Sequence, residues 1–85
     1  MSTMKDIESV MKEITELLLE KNRKYGDSAL NPIRIFSKSG VTEQLKVRID
    51  DKISRIVHMQ KDDTEDVIND LIGYLVLLKI SMRKK

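Results

Sequence analysis

An all-α fold is what this sequence predicts, and three observations carry the prediction. Apolar residues recur at helical spacing in three separate segments. Turn chemistry, including the only proline, falls between those segments. Hydrophobic residues (40%) and charged residues (35%) are mixed in the proportion that fills one face of a helix and wets the other. The expected architecture is a single domain spanning residues 1–85, a compact three-helix bundle with helices at about 3–25, 41–60 and 64–82.

The first segment places Ile7, Val10, Met11, Ile14, Leu17 and Leu18 on one stripe between Met4 and Lys24. Ser2 or Thr3 can cap its first free amides, and Gly26 can take the positive-φ conformation that ends it. From Asp27 to Gly40 the chain reads as irregular, because Asn31-Pro32 disfavours helix and Ser37 to Gly40 offer turn residues. The second segment starts at Val41 or Thr42 and aligns Leu45, Ile49, Ile53 and Ile56, with Arg48, Asp51, Lys52 and Arg55 beside them. Asp63 or Thr64 caps the third, Glu65 and Asp66 suit its positive end, and Arg83, Lys84 and Lys85 its negative end.

In that third helix Leu71, Ile72, Tyr74, Leu75, Val76, Leu77, Leu78 and Ile80 cover nearly the whole circumference. Two neighbours in one chain cannot cover so much. At roughly 25 cal/mol per Å² of apolar surface, leaving several of these side chains bare forfeits several kcal/mol. A homo-oligomer assembled through the third helix is therefore expected, a dimer or tetramer rather than a monomer.

Composition narrows the function classes. Without cysteine, disulfides, thiolate zinc sites and cysteine nucleophiles are excluded. Sixteen basic and fourteen acidic residues leave a net charge of +2, too little to make a nucleic acid polymer an expected partner. The amino terminus lacks an apolar core of signal-peptide type, and the longest apolar run, Tyr74 to Leu78, is too short to cross a bilayer, so a cytoplasmic protein without a membrane partner is expected. No glycine-rich phosphate loop or serine triad can be assembled.

Residues 21–36 gather Lys21, Lys24 and Arg34, suited to phosphate oxygens, with Tyr25, a face for stacking a base. The competing reading packs Tyr25 on Pro32 or Ile33, anchors the loop with Phe36 and leaves the lysines solvated. Arg48, Asp51, Lys52 and Arg55 share a helix face, and Asp66 and Asp70 stand one turn apart. Two carboxylates on one helix facing a third from a neighbour can hold a hard divalent cation. Equally, first-turn acids answer the helix dipole, and a ladder of opposite charges is an ordinary surface. Asp70 lies deeper, among apolar residues, and a partly buried carboxylate needs donors or a cation: Arg48, Lys52, Arg55 or magnesium. Tyr74 reads as core with a wet hydroxyl or as an adenine-stacking ring, His58 as an exposed helix-end cation, and the methionines as gap fillers.

The blocks KYGDS (24–28), RIDDKISRI (48–56) and EDVINDLIGYLVLL (65–78), in this order and spacing, resemble a phage and bacterial family of nucleotide-modification-associated domains. More distantly they are similar to the MazG-like all-α nucleoside triphosphate pyrophosphohydrolases. The resemblance spans about Leu18 to Leu78. It implies magnesium-dependent cleavage between α and β phosphates, with acidic ligands from paired motifs on adjacent helices. On that basis Asp66 and Asp70 match the later pair, Asp50 or Asp51 the earlier one, and Glu16 and Glu20 are a second source. Asp51 and Asp70 are then the candidate catalytic residues, with Asp51, Asp66 and Asp70 the candidate metal ligands. Lys21, Lys24, Tyr25, Arg34, Arg48, Lys52, Arg55 and Tyr74 are the candidate substrate-binding residues. The family's E-x-x-E and E-x-x-D motifs do not occur in helices two or three in their usual form; the later pair is Asp-x-x-x-Asp. Two alternatives therefore stand beside the enzyme: a phage protein that sequesters a nucleotide signal of host antiviral defence, and a helical oligomer that docks a protein partner.

Overall fold

Helix α1 (Thr3–Tyr25), helix α2 (Val41–His58) and helix α3 (Thr64–Arg83) make up the fold in a computed structural model that describes residues 2–26, 30, 39–58 and 64–84. The all-α expectation holds and the boundaries agree closely; Met59, Gln60 and Asp63 lie outside the described residues. The Ser2 hydroxyl accepts from the Lys5 amide at 3.3 Å and caps α1. Gly26, at φ 65° and ψ −155°, stops it in a conformation that a β-carbon would strain. Asn22 Nδ2 donates to the Gly26 carbonyl, adding a side-chain tie across this stop.

α2 and α3 form an antiparallel pair. The hydroxyls of Thr42 and Ser81 meet at 2.6 Å, the Arg48 guanidinium lies 5.9 Å from the centre of the Tyr74 ring, and Lys52 reaches Asp70 at 3.2 Å. Each step forward along α2 is a step back along α3, the geometry of an αα-hairpin. Leu45, Ile49 and Val67 are its buried hydrophobic side chains among the described residues.

α1 adds Ile14 to the buried set and half-buries Leu17 and Leu18. It meets α3 over a short stretch centred on Gly73, where a β-carbon would sit 2.9 Å from Leu18 Cδ2. A β-carbon there would make the end of the Leu18 side chain shift. α3 is the central helix, which accounts for much of its apolar circumference: Leu71, Ile72, Leu77, Leu78 and Ile80 are half-buried, while Ile68, Leu75, Val76 and Met82 stay exposed.

The molecule is longer than the compact bundle expected from sequence. Its radius of gyration is 14.5 Å, with extents of 49 × 29 × 23 Å, against about 12 Å for a compact chain of this length. The reason is α1, whose 23 residues run about 34 Å while its packing on α3 is short.

Two outcomes test this packing. Leu45→Ala removes a side chain that is 1% exposed and should cost about 2–5 kcal/mol in urea unfolding. Gly73→Leu should cost about 1–3 kcal/mol by overpacking, and Leu18→Ala in the same chain should return part of the loss, as contacting sites do in a double-mutant cycle.

Candidate functional site

Asp70 is where the three helices meet electrostatically. Its Oδ1 accepts from Lys21 Nζ of α1 at 2.9 Å, and its Oδ2 lies 3.2 Å from Lys52 Nζ of α2. The side chains are unequally sheltered: Lys52 is 16% exposed, Asp70 33% and Lys21 45%. Partial burial pushes the Asp70 carboxyl upward, but the hydrogen bonds and charges of Lys21 and Lys52 outweigh it, so the group titrates below its ordinary range. The expected partly buried carboxylate is present, and lysines from both other helices satisfy it.

Two clefts flank this knot. The larger, about 610 Å³, lies between α1 and α3. Leu18, Gly73, Val76, Leu77 and Ile80 form its apolar wall, and Lys21, Arg48 and Lys84 bring positive charge to it alongside Asp70. Its size falls within the usual range for small-molecule sites, about 300–1,000 Å³. Tyr25 stands at its edge, 62% exposed. The smaller cleft, about 390 Å³, is polar: Arg48, Asp51, Lys52, Ser54 and Arg55 of α2 face Tyr74 of α3. Arg48 and Tyr74 are the wall common to both.

Of the candidate binding residues, the structure brings Lys21, Tyr25, Arg48 and Tyr74 to the larger cleft, and Arg48, Lys52, Arg55 and Tyr74 to the smaller. The acidic candidates divide, Asp70 lining the larger cleft and Asp51 the smaller. Asp66, one turn before Asp70, is exposed and lines neither. Lys24 is exposed and rests beside the Tyr25 ring, its Nζ 5.3 Å from the centroid. Arg34 lies outside the described residues, as do Pro32, Ile33 and Phe36. Glu20 pairs with Arg23, and Glu16 and Asp50 are exposed. His58 is exposed, with Nδ1 2.9 Å from the Ser54 carbonyl, to which it donates. Asn22 and Lys84 line the larger cleft without having been read from sequence as binding residues, Lys84 having been placed only at the helix end. Lys84 follows Leu77 and Ile80 along one side of α3, a spacing that could have marked it.

Both oxygens of Asp70 are held by ammonium groups, and among the described residues no three acidic or histidine side chains converge on one point. The polar chemistry gathered here is that of an anion acceptor beside an apolar wall.

No known protein-family model, curated protein or solved structure matches this chain.

Because the folded state holds Asp70 ionised, the unfolded chain takes up this proton first as the solution is acidified. The contribution is complete above the unfolded value of about 3.9 and is lost as pH falls through the lower folded value. Melting temperatures from pH 7 to pH 2 should show this acid limb, and Asp70→Asn should flatten it. At pH 7 Asp70→Asn should destabilise more than Lys21→Met, since it strands the sheltered Lys52 ammonium whereas Lys21 is better solvated.

Proposed function

We propose that this chain is a nucleotide-handling protein that holds a nucleotide or nucleotide-derived small molecule in the α1–α3 cleft. The observation that supports it is the meeting of three features: an apolar wall of ligand size, the cations Lys21, Arg48 and Lys84, and the open ring of Tyr25. Phosphate oxygens would take the cations, and a base would stack on Tyr25 against the leucine wall. Arg48 is the cation best suited to the phosphate. Its guanidinium lies 5.9 Å from the centre of the Tyr74 ring and makes no ion pair among the described residues, so binding an anion breaks no existing bridge. The three KYGDS, RIDDKISRI and EDVINDLIGYLVLL blocks point to the same ligand class, since Tyr25, Arg48 and Tyr74 all come from them.

Binding is the primary activity on this reading. Asp51 beside Arg48 and Arg55 in the polar cleft favours a second one, turnover of the bound nucleotide, because it sets a carboxylate beside groups that would hold phosphate. Magnesium would reach such a site with the substrate's phosphates rather than in a cage built by the protein.

A thermal-shift panel of nucleoside triphosphates, monophosphates and cyclic dinucleotides, with and without magnesium, tests both. A ligand at a hundred times its Kd should add about 2.7 kcal/mol of apparent stability. Ligand recovered intact by chromatography supports holding, converted ligand supports turnover, and a flat panel overturns the proposal. Arg48→Ala should weaken a stabilising ligand by about 10- to 100-fold, the worth of a charged hydrogen bond.

A further inference from the structure

Three charged side chains of the smaller cleft, Arg48, Asp51 and Arg55, make no ion pair among the described residues, although they stand together on one face of α2. Asp51 comes three positions after Arg48 and four before Arg55, the spacings at which opposite charges on a helix ordinarily meet. Such pairs do form nearby. Lys46 reaches Glu43, three positions away, at 3.4 Å, and Lys52 is held by Asp70 at 3.2 Å. Two guanidinium groups and one carboxylate are thus left open to a ligand, around a cleft of about 390 Å³ whose other walls are Lys52, Ser54 and Tyr74.

Hydrogen-bond chemistry limits what this set can hold. Each guanidinium presents a planar fork of donors that suits the oxygens of a tetrahedral anion. The ionised carboxylate of Asp51 accepts hydrogen bonds and donates none. Toward an oxyanion without a proton it is only repulsive; toward one that carries an O–H it is a partner. The ligand that satisfies both halves is an anion with several ionised oxygens and one hydroxyl on the same centre. Hydrogen phosphate has this form whether its charge is one or two. Sulfate has the same shape and charge at neutral pH but no proton, and a phosphomonoester, with a second pKa of about 6, has lost most of its own by pH 7.

We propose that the smaller cleft is a site for inorganic phosphate, in which Arg48 and Arg55 take the ionised oxygens and Asp51 accepts from the P–OH group. Asp51 is then the residue that sets specificity, by rejecting unprotonated oxyanions of equal size. The site goes beyond the nucleotide reading of the larger cleft and is tested with no nucleotide present, so either can fail without the other.

The test is NMR titration of the backbone amides at pH 7 with sodium phosphate, sodium sulfate and methyl phosphate in turn, at constant ionic strength. Amides of residues 48–55 should shift saturably with phosphate, and phosphate should bind about 10-fold tighter than the other two anions, the worth of a hydrogen bond to a charged group. Arg55→Gln should weaken phosphate by about 10-fold. Asp51→Asn should tighten sulfate and so narrow the preference. Both changes fall on exposed side chains without ion pairs among the described residues, so circular dichroism should find the helices intact. Shifts that stay linear in phosphate overturn the proposal, as does an unchanged preference in Asp51→Asn. Sulfate binding as tightly as phosphate overturns it as well, and methyl phosphate doing so would give the cleft to a phosphate ester instead.

Discussion

One carboxylate holds the electrostatics of this fold together. Asp70, on the central helix, accepts from a lysine on each of the other two. The pair with Lys52 closes the α2–α3 hairpin near its middle, where the ammonium is largely out of water and cannot be left without a partner. The pair with Lys21 reaches across 49 positions of sequence and reinforces the short α1–α3 contact made by Leu18 and Gly73. Both clefts open beside this knot, so the same side chains that fix the helices set the charge of the surfaces a ligand would meet.

Apolar packing divides unevenly around that point. The hairpin contributes Leu45, Ile49 and Val67 to the buried set, and α1 contributes Ile14. A glycine stands opposite Leu18 of α1, and the most apolar helix carries no side chain at that point. The absence of a β-carbon at Gly73 and the leucines of α1 then define the floor of the larger cleft. Packing and site are made of the same residues.

The sequence made the three helices legible because periodicity and caps are local: Ser2 and Gly26 bracket α1, and the stripe of Leu45 and Ile49 faces inward. Asp70 was legible as a carboxylate in need of donors, because apolar neighbours surround it in its own helix. Lys52 could be named among its partners from the charged face of α2. Lys21 could not be assigned to it, since nothing local shows which face of α1 meets α3. The splay of α1 was illegible for a related reason. An amphipathic stripe announces that a face must be covered, but not whether the same chain covers it.

The distribution of contacts along the chain also dictates an order of assembly. α2 and α3 are joined by a connection of a few residues, and their contacts can form once a short loop has closed. α1 packs on α3, and it must close a much longer loop to do so. The shorter loop favours closing the carboxyl-terminal hairpin before α1 docks. In the folded molecule the same hierarchy runs in reverse: α1 is the unit with least to lose on opening, so its amides should exchange with solvent ahead of those of the hairpin.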